Sequence, residues 1–143
     1  MATVTRRTAA LPTEGVALLL GRLALAAIFL WSGFGKLANL GGFADSLAHQ
    51  GVPAPGALAV VGACVEFFGG LAVAVGFRAR WAALLMAAFT VVATLIAHRF
   101  WEVQDAAART GQAINFMKNV AIVGGFLLLH ARGAGPISVD REP

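Results

Sequence analysis

Apolar residues fill 16–35, 56–77, 81–97 and 112–131 almost without interruption, and polar residues gather in the short stretches between. About 20 apolar residues in a helix cross the hydrocarbon of a bilayer, so each run predicts one transmembrane helix. The runs lack period-two alternation and are about twice the length of a membrane strand, which excludes a transmembrane β-barrel. The predicted fold is therefore all-α: a polytopic four-helix transmembrane bundle over 16–131, with tails at 1–15 and 132–143.

The connections carry patterns of their own. In LANLGGFADSLAHQGVPAPG, Phe43 and Leu47 lie four residues apart, opposite Asp45 and His49. This spacing predicts a short interfacial helix in the first external loop, which Pro53 and Pro55 then end. In HRFWEVQDAAARTG, Phe100 and Trp101 fit an aromatic belt at the membrane surface. Arg6 and Arg7 precede the first apolar run, as in a signal peptide. A leader, however, needs a short apolar region that ends at a small-residue cleavage site. Here the run reaches Gly35 and stops at Lys36, after Trp31 and Phe34, so an uncleaved span is expected.

Composition agrees with the pattern. Of 143 residues, 59% are hydrophobic and 13% charged, about half the charged fraction of soluble domains. The mean hydropathy is +0.78. A net charge of +4 marks topology here and not a nucleic-acid partner, because the basic residues form no dense patch. Arg6, Arg7, Arg78, Arg80, Arg132 and Arg141 fall at the amino terminus, the second connection and the carboxyl tail. Four spans put these three places on one side, which the positive-inside rule makes cytoplasmic. Lys36, Arg99, Arg109 and Lys118 lie toward the other side, with Asp45, Glu102 and Asp105.

The polar residues inside the spans are the candidates for chemistry. Glu66 lies about ten residues from either end of its run, too deep to snorkel to water at about 1.5 Å per residue. Ala59, Gly62, Ala63, Gly69 and Gly70 surround it at spacings of three and four, a small-residue face that permits close helix packing. Glu66 is therefore expected inside the bundle with a polar partner, since an isolated carboxylate in hydrocarbon is costly. Arg22, Phe29 and Lys36 repeat every seven residues on one face of the first span. Both cations are candidate partners, with Arg22 favoured over Lys36. The arginine fork favours Arg22, while the lean of helical side chains toward the amino terminus favours Lys36. A structural ion pair and a catalytic or proton-relay role both stand as readings of such a pair.

A second polar set lies toward the external ends of the last two spans, with Thr90, Thr94, His98 and Trp101 on the third and Asn115, Lys118 and Asn119 on the fourth. Together with Lys36 and His49 they predict an external-side pocket for a quinone-like headgroup or a small anion; the competing reading is interfacial anchoring. Cys64 is the only cysteine, so intramolecular dithiol exchange is excluded and packing is its expected role. The histidines make a weak metal signal, and no metal site is expected. No nucleotide-binding glycine motif stands in a strand and helix context.

RLALAAIFLWSGFGKL, VEFFGGLAVAVGFRAR and the His98 region leading to NFMKN together resemble the DoxX family of small bacterial four-helix membrane proteins, over about residues 22–130. Arg22, Lys36 and Glu66 match the family pattern, with no catalytic role attached. The resemblance implies an inner-membrane protein of redox metabolism. Relatives are linked to thiosulfate oxidation with quinone as acceptor and to membrane complexes that handle thiol and oxidant stress. The expectation is a quinone-interacting or redox-associated membrane subunit with lipid, a redox partner protein or a second copy of the chain as partners. The alternatives are a non-catalytic anchor for a soluble redox enzyme and a small-molecule transporter.

Overall fold

The computed structural model describes residues 12–140. Helix α1 spans Pro12–Ala38, α2 Leu40–His49, α3 Pro55–Val75, α4 Ala79–Ala97 and α5 Ala106–Arg132, and a 3-10 turn at Phe100–Glu102 follows α4. No strand occurs among the described residues. Helices α1, α3, α4 and α5 are each long and apolar enough to cross a membrane, so the protein is an all-α polytopic membrane protein. Helix α2 is the short helix in the first long connection. Asn39 caps it by accepting from the Gly42 amide at 3.0 Å, and the apolar side that Phe43 and Leu47 define turns inward, with Leu47 buried.

The ends are set by local chemistry. Pro55 opens α3, and Gly76 closes it in the left-handed region at φ 71°, where a residue without Cβ bends the chain at no steric cost. Helix α5 begins six residues before the apolar run at 112–131. Asp105 caps it through the Ala108 amide at 2.8 Å, and the alanines that follow are strong helix formers. At 27 residues it is about 40 Å long, more than the hydrocarbon thickness.

Helix α1 packs mainly on α3, and α4 mainly on α5. Glycine permits the first of these contacts: a Cβ added at Gly33 would lie 2.8 Å from the Phe67 backbone nitrogen. Gly70 lets Phe29 in, and Gly69 admits Met86 of α4. The apolar core gathers Ala26, Phe29, Val73, Met86, Phe126 and Leu129, with the rings of Phe29 and Phe126 at 5.4 Å. It occupies the half of the bundle next to the tight α3–α4 turn, hereafter the turn end. At the opposite end, toward α2, the interior is polar.

The carboxyl tail is built into the structure instead of trailing from it. Residues 133–140 fold under the α3–α4 turn, where the Val139 amide donates to Val75 O at 3.0 Å and the Asp140 amide to Gly76 O at 3.1 Å. Asp140 Oδ2 accepts from the Ala79 amide at 2.9 Å, supplying the amino-terminal cap that Arg78 does not give α4. Glu14 and Arg132 form an ion pair between the start of α1 and the end of α5.

Candidate functional site

The α1 face carrying Arg22, Phe29 and Lys36 does turn inward, but its two cations have different partners. Arg22 is 1% exposed and donates from Nη1 to Ala134 O at 2.6 Å and from Nη2 to Ile137 O at 2.7 Å. The arginine favoured as the partner of Glu66 is thus committed to the folded tail. The physical reason is the direction of helical side chains: Arg22 leans toward the amino terminus of α1, away from Glu66, and the tail carbonyls accept from both of its terminal nitrogens. Lys36 leans inward from the other end of the same helix, and its Nζ meets Glu66 Oε2 at 2.5 Å. Glu66 is 4% exposed. The Lys36 ammonium also stands 5.0 Å from the centre of the Phe43 ring on α2, a cation–π contact that ties the pair to the short helix.

Around this pair α1, α3, α4 and α5 leave a cleft of about 200 Å³. Lys36 and Glu66 form one polar side and His98, Lys118 and Asn119 the other, with Ile28, Phe29, Phe89 and Ile122 between them. Thr90 and Thr94 are buried on α4 and return their hydroxyls to Met86 O and Thr90 O, each at 2.6 Å. Thr94 Oγ1 in turn accepts from Asn119 Nδ2 at 2.9 Å, which fixes the asparagine amide. His98 ends α4, and its Nδ1 lies 2.8 Å from Gln112 Oε1. An amide oxygen only accepts, so Nδ1 carries the hydrogen and Nε2 bears the lone pair of the neutral ring.

Trp101 and Asn115, expected in the same pocket, stand outside it. Trp101 is 53% exposed and stacks edge-on with Phe100 at 5.2 Å and Phe116 at 6.0 Å. Asn115 shares a face of α5 with Asn119 and Ile122 but lies a turn nearer the start of the helix, beyond the cleft, where its Oδ1 accepts from Lys118 Nζ at 3.1 Å. Lys118 therefore sits at the rim. His49 is exposed on α2. Ser32 and Gln112 were not among the expected site residues. Ser32 precedes Lys36 by one turn and lines the cleft, and Gln112 precedes Asn119 by seven residues. Both spacings were signals in the sequence, since each places the residue on the face of one already chosen.

The DoxX family model matches residues 17–99, the stretch holding Arg22, Lys36, Glu66 and His98. The inner membrane protein YphA of Escherichia coli strain K12 is 36% identical over 127 residues, covering 89% of this chain and 90% of the relative. YqjF, another inner membrane protein of that strain, is 35% identical over 128 residues, covering 90% and 92%. The Surfeit locus protein 4 homolog of Schizosaccharomyces pombe is 34% identical over 71 residues, 49% of this chain and 24% of that protein. No solved structure matches the chain. The match over the first three spans, together with two relatives aligned along almost their full length, establishes the relationship: the chain belongs to the DoxX family.

Proposed function

We propose that the protein is a quinone-interacting subunit of a redox system in the bacterial inner membrane, and that the cleft between Lys36 and His98 receives the ring of the quinone. The observation that carries this reading is the placing of polar groups at both ends of an apolar cleft, with Lys36 and Glu66 at one end and His98, Lys118 and Asn119 at the other. Glu66 neutralises Lys36, while the ammonium still has hydrogens to donate to a neutral carbonyl. The apolar walls between Lys36 and His98 suit a flat ring with polar atoms at both ends, and about 200 Å³ is room for a headgroup and not for a whole lipid.

A bound quinone supplies two-electron, two-proton redox chemistry. The chain's own residues do the rest. Glu66 holds the Lys36 side chain at the edge of the cleft, and Lys36 Nζ donates to a carbonyl oxygen. Gln112 holds the His98 ring so that Nε2 accepts from a hydroxyl, or donates to a carbonyl when the imidazole is protonated. The lone Cys64 leaves thiol oxidation to an external donor or a partner protein.

The location follows the names of the two Escherichia coli relatives. By the positive-inside rule, Arg78, Arg80 and Arg132 at the turn end support a cytoplasmic location for that end and the chain termini; the cleft would then open in the outward-facing half of the membrane. A membrane anchor for a soluble redox enzyme is the second reading; the mostly exposed apolar surface of α5, which is free to meet a partner, favours it. Quenching of tryptophan fluorescence by added quinone tests the first reading. Quenching should be saturable and should weaken in His98→Ala and Lys118→Ala with the fold intact. Failure of the wild type to bind any quinone favours the anchor.

A further inference from the structure

A larger groove opens beside the cleft. It measures about 430 Å³ and lies among α2, α3 and α4, and its walls include Leu58, Val61, Val65 and Val92. Lys36, Phe89, Ala93 and Ala97 line both spaces, so groove and cleft meet at the Lys36–Glu66 pair. The outer wall is α2. It rests mainly on α3 and only lightly on α1, and its Phe43 ring would lie 3.6 Å from a Cβ added at Gly62. A bulkier residue at position 62 would narrow the groove from within. One more observation points to a ligand. Gln50 Oε1 lines the groove, is buried, and has no hydrogen-bond partner among the described residues. A buried acceptor without a donor is unfavourable, and the hydroxyl of a reduced ring would supply one as it passes through the groove to the cleft.

We propose that this groove is a lateral portal that holds the long apolar chain of the ligand whose ring occupies the cleft, with α2 as its movable outer wall. The ring's identity rests on the quinone reading; the chain site rests on the groove alone. Continuity selects the occupant: a groove that ends at a headgroup-sized cleft fits one chain attached to one ring. Such a ligand reaches the cleft from the hydrocarbon without its chain crossing water.

Two measurements on the full-length protein in lipid nanodiscs test the portal. The first compares a long-chain isoprenoid benzoquinone with the same ring lacking its chain. Val65→Phe, which fills the groove, should weaken the long-chain compound about tenfold or more and leave the chain-free ring unchanged. Val60→Phe, on the lipid-facing side of α3, should change neither. Equal weakening of both compounds by Val65→Phe, or of neither, overturns the portal. Should Val65→Phe fail to fold, Val92→Phe fills the groove from α4 instead. The second measurement needs no variant and no quinone: a diazirine-bearing polyisoprenol is photolysed with the wild type and the adducts are mapped. Adducts at the half-buried groove residues Val65, Phe89 and Ile96 in excess of those at the more exposed Val60 and Phe68 support the chain site, even if the protein binds no quinone ring. Adducts spread evenly over these positions overturn it, even if the ring binds.

Discussion

Lys36 and Glu66 face each other across 2.5 Å from α1 and α3, with the carboxylate buried and the ammonium partly open to the cleft. This asymmetry sets what each substitution does. Lys36→Met strands a buried carboxylate and should destabilise the protein by about 3–5 kcal/mol, whereas the double variant Lys36→Met, Glu66→Gln should recover most of that loss. Thermal unfolding of the four proteins in mild detergent checks it. A double variant no more stable than Lys36→Met would show that the pair does not govern the packing of α1 on α3.

Arg22 and the tail should behave as one unit. Removing residues 134–143 leaves the buried guanidinium without the Ala134 and Ile137 carbonyls, and should be more damaging than Arg22→Met, which loses about 1–3 kcal/mol. Arg22→Met in the truncated chain should then raise stability, because the stranded charge is gone. Purely additive losses in detergent unfolding would refute the clamp.

Gly33→Ala should destabilise the bundle by about 1–3 kcal/mol through overpacking, because the new methyl group would press on the Phe67 backbone. Gly21→Ala, where nothing lies within 4 Å of the added Cβ, should be neutral or slightly stabilising. Unfolding midpoints that rank the two the other way would contradict the packing of α1 on α3.

Reporter fusions test the orientation. A fusion at the carboxyl terminus should report the cytoplasm, and an insertion near Gln104 the opposite side. The same compartment for both would break the four-span topology, and exchanged compartments would reverse the arginine argument.

Gln112→Ala should weaken quinone binding in the same direction as His98→Ala but less, because it removes the hydrogen bond that orients the ring and not the ring itself. A Gln112→Ala protein that binds like the wild type would remove Gln112 from the site.

The four spans were legible because each apolar run is long enough to need a bilayer, and α2 was legible because Phe43 and Leu47 share a face. The partner of Glu66 was legible only in part. The lean of side chains along a helix already opposed Arg22, but what holds Arg22 is a pair of backbone carbonyls. Carbonyls occur at every residue, so no side-chain pattern in 133–140 announces that this segment docks, and it was expected only as a tail. Asn115 and Trp101 were misplaced for another reason. Asn115 shares the face of Asn119 but stands one turn farther along α5, and Trp101 lies past the end of α4 in the 3-10 turn, where the helical register that placed His98 no longer applies.

The clamp on Arg22 also orders events during synthesis. Its acceptor at Ala134 is 112 residues later in the chain, so at about 5–20 residues per second the first span waits roughly 6–20 seconds for its partner to be made. Throughout that interval the nascent helix carries a guanidinium that it cannot satisfy itself, and lipid headgroups, water or the insertion machinery must hold it. Residues 134–137 therefore decide when the first helix is released, and a ribosome that stalls before them leaves a protein with all its spans and an open bundle.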